Sequence, residues 1–415
     1  MTARALRLER PLRVPAGAAR ACPSCGAADP AVFHEQAEVP AHSVLLMRAR
    51  EAAVDYPKGE IRLGFCGACG FITNLAMDPA LHEYSGRYEE TQGFSDTFNA
   101  FAGRLAEGLI ERYGIRGKRI LEIGCGKGEF LALLCRLGGN RGIGFDPAYV
   151  PERNPAPPGL DITFAADLYS DRHAGIPADL VVCKMTLEHI MDTFGFVQMV
   201  RRTIGDRPET VVFFQVPDAT RILREVAFWD IYYEHCSYFS AGSLARLFRR
   251  AGFDVLDLRT DFDGQYLMIE ARPAVGRPPS PPGPEEADLE ALARDVARFG
   301  EQRPLQVDRW RRSLRQMRAA GRRPVIWGGG SKAVAFLTAL GTDGAAVEYV
   351  VDVNPFKHGT YLAGTGHEIV GPEALREYRP RVVIVMNPVY RDEIALSLDR
   401  LGVDAAISTL ESGRP

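Results

Sequence analysis

Apolar runs alternate with amphipathic segments through the middle of this chain. Helical periodicity covers residues 98–113, and the apolar run 118–123 predicts a buried strand that leads into a second helix. Further buried strands are predicted at 142–146, 164–167, 179–183 and 211–216. Strands that alternate with helices indicate a doubly wound parallel sheet, which binds its ligands at the carboxyl ends of the strands.

The pattern repeats in the last third of the chain. Residues 272–286 are rich in proline and glycine, which predicts a linker, and helical periodicity resumes over 287–320. A strand at 325–327 then runs into Gly328-Gly329-Gly330, and two more strands end near residues 352 and 386. We interpret this part as a second Rossmann-like unit. Because a complete G-x-G-x-x-G is missing, we do not expect it to bind NAD.

Basic residues in this last third allow two interpretations. The arginines between positions 303 and 323 form either a solvated helix face or a patch that faces a diphosphate. Lys332 follows the glycines, where it either meets a phosphate or forms a surface ion pair.

Length and composition limit the classes of protein that fit. A chain of 415 residues predicts two or three domains, and a hydrophobic share of 46% with a net charge of −3 is ordinary for a globular protein. The charge does not favour a nucleic-acid partner. The chain lacks a long apolar stretch and an apolar leader, so we expect no membrane partner, a cytoplasmic location and reduced cysteines. No feature indicates an oligomeric state.

Two C-x-x-C-G turns lie near the N-terminus. Each can present two thiolates to one metal ion, and two such turns form the tetrahedral site typical of structural zinc. We therefore expect one structural Zn²⁺ to be held by Cys22, Cys25, Cys66 and Cys69. The long insert between the pairs must carry strands of its own, for which Val39 and the run 44–46 are candidates.

The first predicted strand of the middle domain ends in a glycine loop. It contains Gly124, Gly126 and Gly128, with Cys125 between the first two. Glycines let the backbone turn sharply and approach a ligand closely. The spacing differs from the G-x-G-x-x-G that holds a dinucleotide pyrophosphate, and Glu122 before the loop would repel such a group. A carboxylate suits a ligand with an amino group, so the loop predicts S-adenosylmethionine, a sulfonium with an amino acid tail.

Polar residues end the neighbouring strands. Asp146 lies about twenty residues beyond the loop, where a carboxylate can accept hydrogen bonds from both ribose hydroxyls. Alone it could equally cap a helix, but the glycine loop favours the ribose. Asp167 ends the next strand, where it can meet the adenine amino group, and Lys184 ends the one after. Since these strand ends share one edge of the sheet, we expect all three residues to bind the donor.

A polar cluster follows the strand at 211–216. Tyr232, Glu234 and His235 lie there just before a helix that Ser240 can cap. Histidine has a pKa suited to proton transfer near neutral pH, and a tyrosine can stabilise an oxyanion. Methylation of a hydroxyl and of a carbon beside a carbonyl both require a base such as His235. The cluster by itself does not indicate whether oxygen or carbon is the methyl acceptor.

The order of these features resembles that of the bacterial nucleotide-sugar C-methyltransferases, which modify keto-deoxysugars. The resemblance is carried by 232–235, 186–190, 351–359, 372–373 and 386–387. It implies an α/β protein in which a class I methyltransferase Rossmann-like domain is flanked by an N-terminal zinc-binding domain and a second, C-terminal Rossmann-like domain that covers the substrate. We place the three domains at 1–80, 81–275 and 276–415.

The resemblance also implies a mechanism. His235 would remove the proton at C3 of a nucleotide-linked 4-keto sugar, and Tyr232 or His189 would steady the enolate, which then takes the methyl group; Glu234 is a further catalytic candidate. The chain departs from the family pattern at Gln215, Met386, 264–266 and 329–332. These positions lie around the expected acceptor pocket. An O- or N-methyltransferase acting on a sugar or another small metabolite is therefore the alternative.

Overall fold

The structure is a computed structural model that describes residues 21–81, 85–153, 159–275 and 280–410. The N-terminal segment, for which the sequence predicts no apolar leader, lies outside the described residues, as do Pro278 and Pro279 of the expected linker. Among the described helices, none combines the length and the apolar character that crossing a bilayer requires.

The N-terminal part forms a small antiparallel sheet. Its elements are β1 (Ala31–Pro40), α1 (Arg50–Val54), β2 (Lys58–Phe65) and β3 (Ile72–Asn74). Val39 lies in β1, as expected. The run 44–46 does not form a strand of this sheet, because Leu45 pairs instead with Tyr88 beyond it.

The central part alternates strands and helices. Its elements are α2 (Asp96–Tyr113), β4 (Arg119–Ile123), α3 (Glu129–Gly138), β5 (Arg141–Phe145), β6 (Ile162–Ala165), β7 (Leu180–Lys184), α4 (Thr193–Ile204), β8 (Val211–Pro217), α5 (Ala219–Arg224), β9 (Ser237–Tyr238), α6 (Ala241–Arg250), β10 (Phe253–Asp261) and β11 (Tyr266–Pro273).

Seven of these strands form one sheet in the order β10-β11-β8-β7-β4-β5-β6. Strands β4 to β8 are parallel, and β10 and β11 add an antiparallel hairpin at one edge. Helix α2 begins where the Ser95 side chain accepts a hydrogen bond from Phe98 N, and it ends at Gly114 in the left-handed conformation. Its apolar face packs against one side of the sheet. The predicted doubly wound sheet is therefore present.

Strand β9 belongs to a different sheet from its neighbours in the chain. It pairs with β3, so the N-terminal sheet has the order β1-β2-β3-β9. The polar cluster that precedes β9 is thereby held between the N-terminal sheet and the central one. The proposed boundary at residue 80 remains a prediction, since one strand of this sheet comes from beyond it.

The last third forms a second parallel sheet. Its elements are α7 (Leu289–Ala319), β12 (Pro324–Trp327), α8 (Ser331–Leu340), β13 (Tyr349–Val351), β14 (Thr360–Tyr361), β15 (Glu368–Val370), α9 (Leu375–Tyr378), β16 (Val382–Val385), α10 (Arg391–Leu401) and β17 (Ala406–Thr409). The strand order is β14-β15-β13-β12-β16-β17, and only β14 runs antiparallel. This is the expected second Rossmann-like unit.

The described end of the expected linker is docked on α6. Arg249 Nη1 donates to Ser280 O at 2.7 Å, and Arg246 pairs with Asp288 at 2.7 Å. Asp288 also accepts from Gly242 N at 3.1 Å at the start of α6. The described end of this segment contains a 3-10 turn at Pro284–Glu286, and these contacts fix its path.

Candidate active site

A cavity of about 1200 Å³ lies where the carboxyl ends of the two parallel sheets face each other. A single small-molecule site usually occupies about 300–1000 Å³, so this cavity has room for two reactants. Its walls are formed by the turns that follow the strands of both sheets, at 123–127, 145–148, 184–189, 215–217, 327–332, 352–354 and 386–387. All predicted donor and acceptor residues line this one cavity, apart from Gly128, which starts α3 next to it.

The glycine loop needs its glycines for two reasons. Gly124, Gly126 and Gly128 have φ angles of 68°, 54° and 81°, a region that residues with a Cβ rarely adopt. A Cβ on Gly124 would also lie 2.8 Å from Thr186 Cγ2 and closer still to its Oγ1. Gly124 N donates to Phe145 O at 2.8 Å, which holds the loop against β5. The loop thus presents bare backbone to the cavity.

Asp146 binds the glycine loop directly. Its Oδ2 accepts from Gly126 N at 2.9 Å and its Oδ1 from Ala148 N at 2.7 Å. Burial raises the pKa of this carboxyl group, and the two amide hydrogen bonds oppose the rise. Each oxygen has a second lone pair available, so a ribose could still bind there.

The second sheet repeats this arrangement. Asp352 accepts from Gly329 N at 2.8 Å and from Asn354 N at 2.8 Å. Here, however, Lys357 Nζ lies 3.1 Å from Asp352 Oδ2 and occupies the carboxylate. That this unit does not bind NAD stays a prediction.

Glu122 and Lys184 place a buried carboxyl group and a buried amine at the back of the loop. Burial raises the pKa of Glu122 to about 8, and the nearby Lys184 opposes the rise. Burial lowers the pKa of Lys184 to about 8, and its Nζ lies 3.6 Å from the centre of the Phe130 ring. Glu122 Oε2 has no hydrogen-bond partner among the described residues. A cationic group of a ligand could pair with this carboxyl oxygen.

The two remaining donor candidates have different surroundings. Cys125 packs against β5, where a Cβ on Gly144 would lie 2.8 Å from its Sγ. Asp167 forms an ion pair with Arg172, and its Oδ2 lies 3.7 Å from His173 Nε2. Cys125 therefore offers the cavity its backbone. Asp167 offers it a carboxylate that is already partly neutralised.

A strap formed by residues 85–95 crosses the donor half of the cavity, and the sequence analysis did not single it out. Lys127 Nζ donates to Tyr88 O at 2.8 Å, which ties the strap to the glycine loop. The strap is also tied to the C-terminal sheet, because Asn354 Nδ2 donates to Glu89 Oε1 at 2.8 Å and Ser95 Oγ to Glu393 Oε2 at 2.7 Å. No short sequence motif predicts these contacts.

The acceptor half contains His235 between two other rings. The His235 ring centre lies 4.2 Å from that of Tyr232 and 4.8 Å from that of His189. Burial lowers the pKa of His235 well below its usual value, aided by His189 and Lys332. Burial raises the pKa of Tyr232 well above its usual value. At neutral pH the site therefore holds a neutral imidazole beside a phenol that keeps its proton.

Glu234 is fully engaged by groups outside the cluster. Its Oε1 accepts from the Ser43 amide and, at 2.8 Å, from Ser43 Oγ, and its Oε2 accepts from Tyr88 OH at 3.0 Å. Burial raises the pKa of Glu234, but hydrogen bonds and charge from His42, together with Ser43, outweigh this and bring it to about 2. Ser43 Oγ is also hydrogen-bonded to Ser331 Oγ at 2.7 Å. Glu234 thus joins all three parts of the chain.

The basic groups of the C-terminal part are used structurally. Lys332 lines the cavity, but its Nζ is paired with Asp230. The arginines of α7, all within the described chain, do not line the cavity. Arg311 donates instead to Ala339 O at 2.9 Å, and Arg315 pairs with Asp343. The structure favours an ion pair for Lys332 and a helix surface for the arginines of α7.

The four N-terminal cysteines converge. Cys22 Sγ lies 3.7 Å from Cys69 Sγ, and Cys25 Sγ lies 3.6 Å from Cys66 Sγ. A tetrahedral site with metal–sulfur bonds of about 2.3 Å places its sulfurs about 3.8 Å apart, whereas a disulfide holds them at about 2.05 Å. The thiol geometry therefore fits a four-cysteine metal site and not a disulfide.

Comparison with known proteins gives the chemistry. Residues 98–258 match a family described as a methyltransferase domain, and residues 285–404 match the C-methyltransferase C-terminal domain. The chain is 29% identical over 310 residues to C-methyltransferase NovU of Streptomyces niveus, an alignment that covers 70% of this chain and 71% of NovU. The protein is an S-adenosylmethionine-dependent methyltransferase. Its central part has the class I methyltransferase fold, as the sequence predicted.

Two further similarities of this methyltransferase cover less than half of the chain. It is 30% identical over 107 residues to a ubiquinone biosynthesis O-methyltransferase of Shewanella pealeana, which covers 24% of this chain and 44% of that enzyme. Among solved structures, 1,6-didemethyltoxoflavin-N1-methyltransferase of Burkholderia thailandensis is 20% identical, with a TM-score of 0.33, covering 43% of this chain and 82% of that one.

Proposed function

We propose that this methyltransferase transfers a methyl group to the carbon next to the keto group of a nucleotide-linked deoxysugar. The observation that carries carbon as the acceptor is the alignment with C-methyltransferase NovU over 70% of the chain, together with the match to the C-methyltransferase C-terminal domain. The nucleotide-linked sugar is suggested by the family resemblance of the cluster at 232–235 and by a cavity with room for two reactants.

The donor half fits S-adenosylmethionine. The bare backbone of the loop at Gly124 allows close approach. Glu122 Oε2, which has no hydrogen-bond partner among the described residues, suits the ammonium of the donor's amino acid tail. Asp146 would take the ribose hydroxyls. When bound there, the donor supplies an electrophilic methyl group on a sulfonium.

In the acceptor half, His235 would act as the base. Its buried, neutral imidazole can accept the proton from the carbon beside the ketone. Tyr232 keeps its proton and would donate a hydrogen bond to the enolate oxygen. Glu234 already binds Ser43 and Tyr88, so we assign it the role of holding the cluster in place. His189 packs edge-on against His235 and completes the pocket.

The function is tested by incubating the enzyme and S-adenosylmethionine with a panel of nucleotide-linked 4-keto sugars in deuterated water. Mass spectrometry then reports methylation and C–H exchange together. We expect a methylated product and exchange of the proton beside the ketone in unreacted sugar. Methylation of a sugar or another metabolite without exchange would support the O- or N-methyltransferase alternative, which the partial match to a ubiquinone O-methyltransferase favours.

Removal of the Asp146 carboxylate should weaken donor binding. For Asp146→Ala we expect a loss of about 1–3 kcal/mol in calorimetric affinity for S-adenosylmethionine, because two charge-assisted hydrogen bonds to ribose would be lost. Asp146→Asn keeps the shape and an acceptor for the amide of Gly126, so it should lose less affinity. Unchanged affinity in Asp146→Ala would refute the ribose role.

We also propose that Cys22, Cys25, Cys66 and Cys69 hold one structural zinc ion. The purified protein should contain one zinc per chain by elemental analysis, and a chelator should lower its melting temperature. Cys22→Ser should lose the metal, since three thiolates remain, whereas Cys135→Ala, a buried cysteine in α3, should keep it. A metal-free protein with unaltered melting would contradict the assignment.

A further inference from the structure

A buried carboxyl group, Glu188, faces the proposed base. It follows β7 in the turn Leu187–His189, and only 1% of the residue is exposed. Its Oε1 lies 3.9 Å from His235 Nε2, and neither carboxyl oxygen has a hydrogen-bond partner among the described residues. Burial of a carboxyl group without a partner is costly. Packing alone therefore does not explain why a glutamate stands here.

His235 also has a ring nitrogen without a hydrogen-bond partner among the described residues. Its Nε2 faces Glu188, while its Nδ1 is buried without a hydrogen-bond partner in the described part of the chain. The two segments that carry these side chains are tied together, because Ser237 Oγ donates to Ile190 O at 2.8 Å and Cys236 Sγ lies 3.6 Å from Glu188 O. A side-chain shift of about 1 Å would bring the carboxyl oxygen and Nε2 into hydrogen-bond distance.

We propose that Glu188 is the positioning residue of His235: its carboxylate accepts the Nε2 hydrogen and leaves the Nδ1 lone pair to take the proton from the substrate. This inference rests on the proposed function, in which His235 is the base. The substrate C–H bond breaks, its electron pair remains as the enolate, and an Nδ1–H bond forms. Glu188 stabilises the resulting imidazolium. The proton on Nδ1 then exchanges with solvent, with or without methyl transfer, which restores both groups.

The protonation state of Glu188 then decides whether His235 can act. A protonated Glu188 would donate to Nε2 and place the imidazole hydrogen on Nδ1, where it blocks proton abstraction. The titratable groups that face Glu188 are His189, His235, Cys183, Cys236, Tyr232 and Tyr266. The charged groups that act on the His235 side are Glu234 and Lys332.

This arrangement gives a pH dependence with a definite sign. Burial raises the pKa of Glu188 to about 8, and burial lowers the pKa of His235 well below 6.5. Between these values the imidazole is already neutral, so the fraction of active enzyme follows the ionised fraction of Glu188. Turnover should therefore rise by about tenfold per pH unit below pH 8 and level off above it.

The test measures kcat and KM from pH 6.5 to 9.5 with a keto sugar that the wild-type enzyme methylates. Glu188→Gln should lower kcat by roughly 10- to 100-fold at the plateau and lose the rise with pH, with little change in KM. Glu188→Asp should keep the rise at a reduced rate. Calorimetric binding of S-adenosylmethionine and the melting temperature show that each variant is folded.

The outcomes separate this inference from the proposed function. Normal kcat and an unchanged pH profile in Glu188→Gln would overturn the role of Glu188 and leave the proposed function intact. A second divalent cation per chain, beyond the zinc of the four cysteines, that activity requires and that Glu188→Gln loses would also overturn it, because Glu188, His189 and His235 would then be metal ligands. Absence of C–H exchange in the wild-type enzyme on every keto sugar would contradict the proposed function itself, and this inference with it.

Discussion

Replacement of His235 by asparagine is expected to lower turnover by roughly 10²- to 10⁴-fold while affinity for S-adenosylmethionine stays nearly unchanged. Asparagine occupies part of the same buried space but cannot accept a proton near neutral pH. The donor half rests on the loop at Gly124 and on Asp146, neither of which depends on His235 for a hydrogen bond. Single-turnover methyl transfer measures the first effect, and calorimetry with the donor measures the second.

One further measurement and one control variant make the His235 result specific. Exchange of the substrate C–H proton into deuterated water should stop in His235→Asn, because exchange needs the base but not the methyl donor. His367→Asn is a matched control, since this partly buried histidine bonds Gly344 O in the C-terminal part and does not line the cavity. Loss of donor binding in His235→Asn would place His235 outside the acceptor half.

Much of the fold follows from local sequence pattern. The periodicity over 98–113 lies within α2 (Asp96–Tyr113), and the apolar run 118–123 contains β4 (Arg119–Ile123). Such patterns are visible because each element must bury one face or one run of residues. The pairing of β9 with β3 could not be seen this way. It joins two short segments far apart in the chain, and nothing in either one marks the other as its partner.

The candidate site also contains some residues that the sequence predicts and others that only the structure reveals. Glycines that need positive φ angles and polar residues at strand ends can be read from the sequence, so Gly124 and Asp146 were singled out. Glu188 is not predicted from the sequence, because its burial and its lack of a partner among the described residues are properties of the packed structure. Its position directly after β7, next to a histidine, was the signal available.

The contacts of the strap 85–95 could not be predicted from the sequence. Its polar side chains meet residues about 265 to 298 positions later, as in the bonds Glu89–Asn354 and Gln92–Tyr390. Contacts of this kind depend on how the two parallel sheets face each other, and sequence spacing within one segment does not encode them. The strap also explains why the donor half is enclosed by the C-terminal part as well as by the glycine loop.

The glycine loop itself provides the second large expected effect. Gly124→Ala should lower affinity for S-adenosylmethionine by at least about tenfold and destabilise the protein by about 2–4 kcal/mol. Alanine disfavours the φ angle of 68°, and its Cβ would overlap the Thr186 side chain. The loop must therefore move, and with it the backbone that faces the donor. Calorimetry and urea unfolding measure the two losses.

Controls for Gly124→Ala are available within the same domain. Gly103 lies inside α2 with nothing within 4 Å of an added Cβ, so Gly103→Ala should be neutral or stabilise the helix by up to about 1 kcal/mol. Adding Thr186→Ala to Gly124→Ala removes the two nearest atoms but leaves the Cβ of residue 186 at 2.9 Å and the unfavourable φ angle, so the double variant should recover stability only in part. Full recovery would show that steric overlap alone requires glycine here. Wild-type donor affinity in Gly124→Ala would remove the loop from the donor site.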